Sequence, residues 1–363
     1  MTHPNAGGAS EPVKVGMVGL GYWGPNVARN FDALGGCELR WCCDADDLQR
    51  QKWSGIYRET RFTDELDDLL NDDELDAIVV TTPVPTHAAL AEAAIRAGKH
   101  CFVEKPLAQN VADAERVADL AEESGRILMV GHLLEYHPGI TQLREMVEGG
   151  ELGDVRYIYG QRLNLGRLRF DENALWSLGA HDVSVLLALA GELPVEAQAR
   201  GECYITDGVE DVVFCYLRFP SGIAGHLHLS WLDPHKERKI TVVGTNKMAT
   251  LNDMEMERKL TIYDKGFDPR PQESSFGGDR EYVTRSSGIF SPAIGNREPL
   301  AIECEHFIDC VREGVIPRSD GRSGARVVRV LEALQASLDA EGAPQAITPA
   351  AASGARLTAT SSR

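Results

Sequence analysis

Among its eight cysteines the sequence has no CxxC pair and no Cys/His pattern with zinc-ligand spacing. This leaves no sequence-readable metal site or disulfide framework. Cys37, Cys42, Cys43, Cys101, Cys203, Cys215, Cys304 and Cys310 fall largely in apolar strand-like runs, where a thiol acts as a small buried hydrophobe. That usage points to a reducing, cytoplasmic compartment. No apolar run reaches the roughly 18–20 residues of a membrane span, so no membrane partner is expected. Met1–Pro12 lacks the apolar centre of a secretory signal and reads as a flexible lead-in. Positive charge is scarce: 37 Lys and Arg stand against 55 Asp and Glu, a net charge of −18. Such a surface repels polyanions and argues against nucleic acid, while leaving room for a small anionic ligand where Arg and Lys cluster locally.

The 363 residues suffice for two domains, and no internal repeat breaks them up. The first third alternates strand and helix signals. Apolar runs at Val13–Val18, Glu38–Cys43, Asp76–Thr82, His100–Val103 and Arg126–Gly131 read as buried strands. Tyr22–Leu34, Thr86–Ala97 (capped by Thr86) and Asn110–Ser124 read as helices. Continuous apolar strands alternating with helices imply a parallel sheet covered on both faces, the doubly wound α/β arrangement. The pattern changes after residue 132. Helices at Pro138–Glu148 and Asn173–Ala190 flank a strand near Val155–Asn164. From Val195 to Tyr263 the chain alternates as antiparallel strands do, with Pro220-Ser221-Gly222 turning Val212–Phe219 into Ile223–Trp231. Helical signals return at Pro299–Arg312 and Ser323–Ala340. This predicts an α+β second domain with an open, mostly antiparallel sheet over 133–345, whose bare face a dimer partner commonly covers. Phe267–Arg297 reads as a loop or lid, and 346–363 as a disordered tail.

Gly19-Leu20-Gly21-Tyr22-Trp23-Gly24 fits GxGxxG, with a strand before it and a helix after it. Gly19 permits the tight turn, Gly21 lets backbone approach a pyrophosphate, and Gly24 lets the helix pack on the strand. The helix N-terminus then faces the phosphates, with Tyr22 and Trp23 beside them. Asp44 ends the second strand 20 residues after Gly24, where a carboxylate binds ribose hydroxyls and repels a 2′-phosphate; NAD is favoured over NADP. A simple turn role for Asp44 stays open. Thr82, Pro83 and His87 follow the third long strand, on the side where cofactor binds. Glu104-Lys105-Pro106 follows the next strand, and Pro106 holds the Lys105 backbone extended. Lys105 can stabilise an alkoxide and move a proton, with Glu104 orienting it; by itself it could equally be a surface ion-pair partner of Glu104.

Together with a later Gly-x-His, these motifs resemble the glucose–fructose oxidoreductase/inositol dehydrogenase family, Gfo/Idh/MocA, over about Val13–Ala340. The resemblance implies a Rossmann domain, a C-terminal open-sheet domain that makes a homodimer or homotetramer, and a tightly held nicotinamide. It places the family's lysine at Lys105 and its catalytic histidine at His181. Ser177 stands where many members carry Asp, and neighbouring Asp182 cannot replace it, because residues four apart share a helix face and adjacent ones do not. Residues 21–26 (GYWGPN), 131–138 (GHLLEYHP) and Asn173-Ala174-Leu175-Trp176 before His181-Asp182 resemble the branch of UDP-N-acetylglucosaminuronate 3-dehydrogenases. Expected sugar contacts are Lys105, His132, Tyr136, Asn164, Arg167, Arg169, Asn173, Trp176, His181 and Asp182. Arg suits phosphate and carboxylate, although Arg167 and Arg169 could instead pair with Asp171 and Glu172. No metal is expected. The alternatives are a free cyclitol or hexose dehydrogenase, and a non-catalytic dinucleotide-binding regulator.

Overall fold

The computed structural model describes residues 11–166, 169, 172–269 and 282–348. The first unit runs β1 (Val13–Val18), α1 (Gly24–Ala33), β2 (Cys37–Cys43), α2 (Asp47–Ser54), β3 (Arg61–Thr63), α3 (Leu66–Leu70), β4 (Ala77–Val80), α4 (His87–Arg96), β5 (His100–Glu104), α5 (Val111–Ser124) and β6 (Leu128–Gly131). Its six strands form one parallel sheet in the order β3-β2-β1-β4-β5-β6. The order reverses between β1 and β4, which opens a crevice at their carboxyl ends. β4 is buried at every position (Ala77–Val80), as a strand covered on both faces requires. The small elements α2, β3 and α3 carry too little apolar periodicity to be read from the sequence.

The second unit runs α6 (Pro138–Glu148), β7 (Val155–Leu165), α7 (Ala180–Ala190), β8 (Glu196–Glu202), β9 (Val212–Arg218), β10 (Ala224–Ser230), β11 (Leu232–Gly244), β12 (Met248–Asn252), β13 (Leu260–Pro269), β14 (Tyr282–Phe290), α8 (Pro299–Glu313), α9 (Gly321–Asp339) and β15 (Gln345–Ala346). Nine strands order as β14-β13-β12-β11-β7-β10-β9-β8-β15, antiparallel except for β7 with β10. β9 shows the alternation of a sheet covered on one side: Val213, Cys215 and Leu217 are buried while Phe214, Tyr216 and Arg218 are exposed. α6, α7 and α9 supply the apolar cover, through residues such as Leu143, Leu186 and Leu331.

Four expectations change. Phe267–Pro269 and Tyr282–Phe290 are strand rather than lid: β13 and β14 pair antiparallel, and β14, exposed along almost its whole length, has no buried apolar alternation to read; residues 270–281 lie outside the described part. Thr86 does not cap α4, since its hydroxyl donates to the Pro83 carbonyl (2.8 Å) at the end of a 3₁₀ turn over Val84–Thr86. Ala346 pairs in β15 and Ile347 is buried, so these positions of the expected tail are ordered; residues 349–363, like 1–10, lie outside the described part. α8 falls inside the expected second domain by position, yet Leu300, Cys304, Phe307 and Ile308 pack with Phe31, Phe102 and Met129 of the first. The chain thus returns to cover its own parallel sheet.

Candidate functional site

Gly19 turns the chain with φ of 101°, a conformation open to glycine. A Cβ on Gly24 would lie 2.2 Å from the Gly19 carbonyl oxygen, so α1 can approach β1 this closely only through glycine. Around Gly21 a Cβ would meet no heavy atom within 4 Å, which leaves the loop's outer side free for a ligand. Pro25 occupies the first turn of α1, where its missing N–H costs no helical bond. Thr81 donates to the Gly19 carbonyl (2.6 Å) and fastens the loop to β4, a role for which a strand-end Thr gives no sequence signal.

Asp44 accepts from the Leu20 N–H (2.5 Å) and the Asp46 N–H (2.8 Å), so it braces the glycine turn. A carboxylate offers about four lone-pair sites, which leaves capacity for a ribose hydroxyl. Tyr22 is exposed beside the loop. Trp23 is turned away from it, its indole N–H donating to Glu104 (2.7 Å) and joining the glycine turn to the Glu-Lys-Pro segment. Thr82 bonds the Thr86 hydroxyl (2.6 Å). His87 is buried between the Pro106 carbonyl (2.8 Å) and the Thr82 carbonyl (2.7 Å). Both its nitrogens are therefore engaged by backbone, and it positions the Thr82-Pro83 and Lys105-Pro106 segments rather than offering a ring to a cofactor.

Lys105 sits at the end of β5, before a cis peptide to Pro106. Its ammonium donates to the Ser177 carbonyl (3.2 Å). Ser177 lies in a π-turn over Leu175–Gly179 that leads into α7, in place of the regular helix expected there; such turns are frequent at functional sites. His181 stands in the first turn of α7, with Nδ1 buried and unpartnered. Burial, then the charges of Lys105, Arg162, His132 and Arg238, hold its imidazole well below the usual pKa. Burial also lowers Lys105, with Glu172 and Glu104 opposing the shift and Arg169 and Arg162 adding to it. His132 follows β6, is fully buried without a partner for either nitrogen, and is pushed down to about 3 by burial and Lys105. Glu104 is raised by burial, against the pull of Lys105 and Trp23. Orphaned polar atoms at the ends of parallel strands, beside a loop that leaves its outer side open, fit a dinucleotide with its reactive ring near Lys105 and His181.

Several expected sugar contacts have other partners. Tyr136 is buried, its hydroxyl bonding Ser319 (2.9 Å) and its ring under Arg318. Asn173 gives its amide to Glu210 (2.7 Å) and Gln335 (2.9 Å) and accepts from the Trp176 N–H, while the Trp176 indole also donates to Gln335 (3.1 Å). Asn173 and Trp176 thus tie the π-turn to α9 and to Glu210 ahead of β9. Asp182 is buried and paired with Arg162 of β7, whose Nη2 lies 3.3 Å away. Arg169 pairs with Glu172 (2.6 Å), and Arg167 lies outside the described residues. Asn164 sits two residues beyond Arg162 on the same strand face. Arg162 joins the site without a motif of its own, its one sequence signal being that spacing from Asn164. Among the described residues no group of three or more His, Cys, Asp or Glu is placed to hold a metal ion.

Residues 13–132 match the model of the oxidoreductase family with NAD-binding Rossmann fold, and residues 140–250 match the GFO/IDH/MocA C-terminal domain. UDP-N-acetylglucosamine 3-dehydrogenase of Acidithiobacillus ferrooxidans is 26% identical over 90% of this chain and 98% of that protein; its solved structure superposes with a TM-score of 0.76. The NAD(+)-dependent scyllo-inositol 2-dehydrogenase of Bacillus subtilis is 24% identical over 84% of this chain and 88% of that protein. GenD2 from gentamicin A biosynthesis, solved in complex with NAD, is 25% identical, with a TM-score of 0.78 over 96% of this chain and all of that one. With both units matched by domain models of one family, the chain belongs to the GFO/IDH/MocA oxidoreductases and carries their NAD-binding Rossmann domain.

Proposed function

We propose that the chain is an NAD-dependent dehydrogenase for a secondary hydroxyl of a sugar, the 3-hydroxyl of a nucleotide sugar such as UDP-N-acetylglucosaminuronate. The observation that carries this reading is the placement of Lys105. Its ammonium is held by the Ser177 carbonyl, beside His181, at the strand ends where a dinucleotide lies. When bound, NAD supplies the hydride acceptor. The chain's residues manage the proton. His181, kept neutral by burial and neighbouring cations, accepts it from the reacting hydroxyl. The Lys105 ammonium stabilises the alkoxide that forms. Asp44, with lone pairs to spare, takes the adenosine ribose and disfavours NADP.

The similarity to inositol dehydrogenases supports a second reading, a free cyclitol as substrate. A homodimer or homotetramer through the bare sheet face is supported by exposed Tyr157, Phe214 and Tyr216, which lie opposite the helix-covered side; light scattering of the purified chain tests it. A cytoplasmic setting is supported by eight free cysteines, six of them buried. Among the described residues no helix is long and apolar enough to cross a membrane.

The test is absorbance at 340 nm (the band of reduced nicotinamide) after adding NAD and UDP-N-acetylglucosaminuronate or scyllo-inositol. A rise with the nucleotide sugar supports the main reading, and a rise with the cyclitol alone transfers support to the second. Lys105→Met should lower turnover roughly 10²–10⁴-fold while NAD still binds. Near-native rates in that variant would overturn the role given to Lys105.

A further inference from the structure

Arg162 of β7 and Arg238 of β11 stand directly opposite each other in the antiparallel register. Residues so paired project to the same face, and like charges there are unfavourable unless something neutralises them. Two carboxylates, Asp182 and Asp253, line the same cavity, and both are already engaged. Asp182 bonds Arg162 through both of its oxygens, one of them to Nη2 at 3.3 Å. Asp253 is engaged by His137 (3.2 Å) and Lys259 (2.8 Å). Arg238 makes no side-chain hydrogen bond or ion pair among the described residues, and its side chain is exposed. Arg162, Asp182, Arg238 and Asp253 line one cavity together with His137 and Leu134. Both arginines act on His181, since their charges are among the causes that depress its imidazolium. On a chain of net charge −18, a cavity where Arg162, Arg238 and Lys239 outnumber Asp182 and Asp253 is a local reversal of sign.

Resting on the dehydrogenase reading above, the geometry points to Arg162 and Arg238 as the docking pair for an oxyanion of the substrate, the carboxylate of an acidic sugar. Paired guanidinium groups match the two oxygens of a carboxylate, and the anion supplies the neutralisation that the cross-strand pair lacks. The carboxylate is favoured over the diphosphate because Arg162 is bonded to Asp182, the residue that follows His181 in α7, so the pair is tied to the helix turn that carries the reacting histidine. An anion held there belongs to the sugar end of the substrate rather than to its nucleotide. Asp182 holds Arg162 in place, which leaves Arg238 as the arm that closes on the ligand.

The experiment compares wild type, Arg238→Gln and Arg238→Lys on UDP-N-acetylglucosaminuronate and on neutral UDP-N-acetylglucosamine, with binding of each followed by calorimetry. Arg238 is exposed and makes no side-chain hydrogen bond among the described residues, so neither substitution breaks one there. For the acid, KM and the dissociation constant should rise roughly 10- to 100-fold in Arg238→Gln, with partial rescue by Lys and little change in NAD affinity. A much smaller effect on the neutral sugar assigns the pair to the carboxylate. Equal losses on both sugars keep the pair as an oxyanion site but move it to the diphosphate, overturning the acidic-sugar assignment. Turnover of the acid with unchanged KM in Arg238→Gln overturns the pair while the dehydrogenase reading stands. Binding of the acid that depends on Arg238, without oxidation by any variant, does the reverse.

Discussion

Replacing Gly24 and Gly21 separately by alanine should divide two functions that the glycine loop combines. A Cβ at Gly24 falls 2.2 Å from the Gly19 carbonyl oxygen and 3.0 Å from the Thr81 hydroxyl. The first obstacle is backbone, so α1 or the turn must shift by roughly 1 Å, since a close-packed interior has no slack to absorb it. Overpacking of this kind costs about 1–3 kcal/mol, and the backbone obstacle puts Gly24→Ala at the upper end. At about 2–4 °C per kcal/mol, the melting temperature should fall by roughly 5–10 °C. The same shift moves the α1 N-terminus off the phosphates, so NAD affinity should drop on the order of 100-fold. Gly21→Ala meets nothing within 4 Å. Its melting temperature should stay near wild type, as for other unhindered surface changes, while NAD affinity falls at least about 10-fold because the methyl group stands where the pyrophosphate passes. Differential scanning fluorimetry and NAD titration by tryptophan fluorescence read both quantities. A Gly24→Ala protein with native melting temperature refutes the close helix–strand contact. Native NAD affinity in Gly21→Ala refutes the path assigned to the cofactor.

Two further outcomes follow from the same site. His132 is fully buried with its imidazole lowered to about 3, whereas in the unfolded chain it titrates near its ordinary value of 6.5. Its folded-state pKa is depressed, so the stability it contributes is complete above pH 6.5 and is lost as pH falls toward 3, at up to about 1.4 kcal/mol per unit. His132→Gln should therefore lose less stability than wild type between pH 7.5 and pH 5.5; identical acid sensitivity of the two melting curves would show that His132 is hydrated or charged in the fold. Asp44→Ala removes the acceptor for the Leu20 and Asp46 N–H groups as well as the ribose contact. It should weaken NAD by roughly 10- to 100-fold and narrow the preference over NADP, and unchanged discrimination between the two cofactors would refute the ribose role.

The parallel unit was legible because its signals are local and mutually consistent. The strand before Gly19 and the helix after Gly24 are adjacent in sequence, and each glycine has its own steric reason, which the 2.2 Å approach makes concrete at Gly24. The second unit was legible as a class and blurred in detail. β14 hid because its residues face outward almost without exception, so the strand carries no apolar alternation to read. The sugar contacts were the least legible part. Asn173, Trp176 and Tyr136 stand near the right motifs in sequence, but their hydrogen bonds run to Glu210, Gln335 and Ser319, partners 37 to 183 residues away. Polar residues beside a site look alike in sequence whether they face a ligand or fasten the segment that carries one.

Ser177 shows how such a distinction is made by backbone. Read as a side chain, it is a missing carboxylate, which weakens the case for a His181 relay. In the fold its carbonyl is the acceptor for the Lys105 ammonium. The π-turn over Leu175–Gly179 widens the helix at this point, and in an i→i+5 turn carbonyls are displaced from the regular ladder. Gly179 permits the turn to lie against β10, since a Cβ there would meet Leu229 at 2.9 Å. A carbonyl holds the ammonium by a dipole rather than by a full negative charge. Lys105 is therefore oriented without being neutralised, and its charge remains available for the developing alkoxide. A carboxylate at 177 would quench part of that charge. On the proposed reading the Ser177 carbonyl places the lysine, and acid/base chemistry by Lys105 and His181 then requires no carboxylate at position 177.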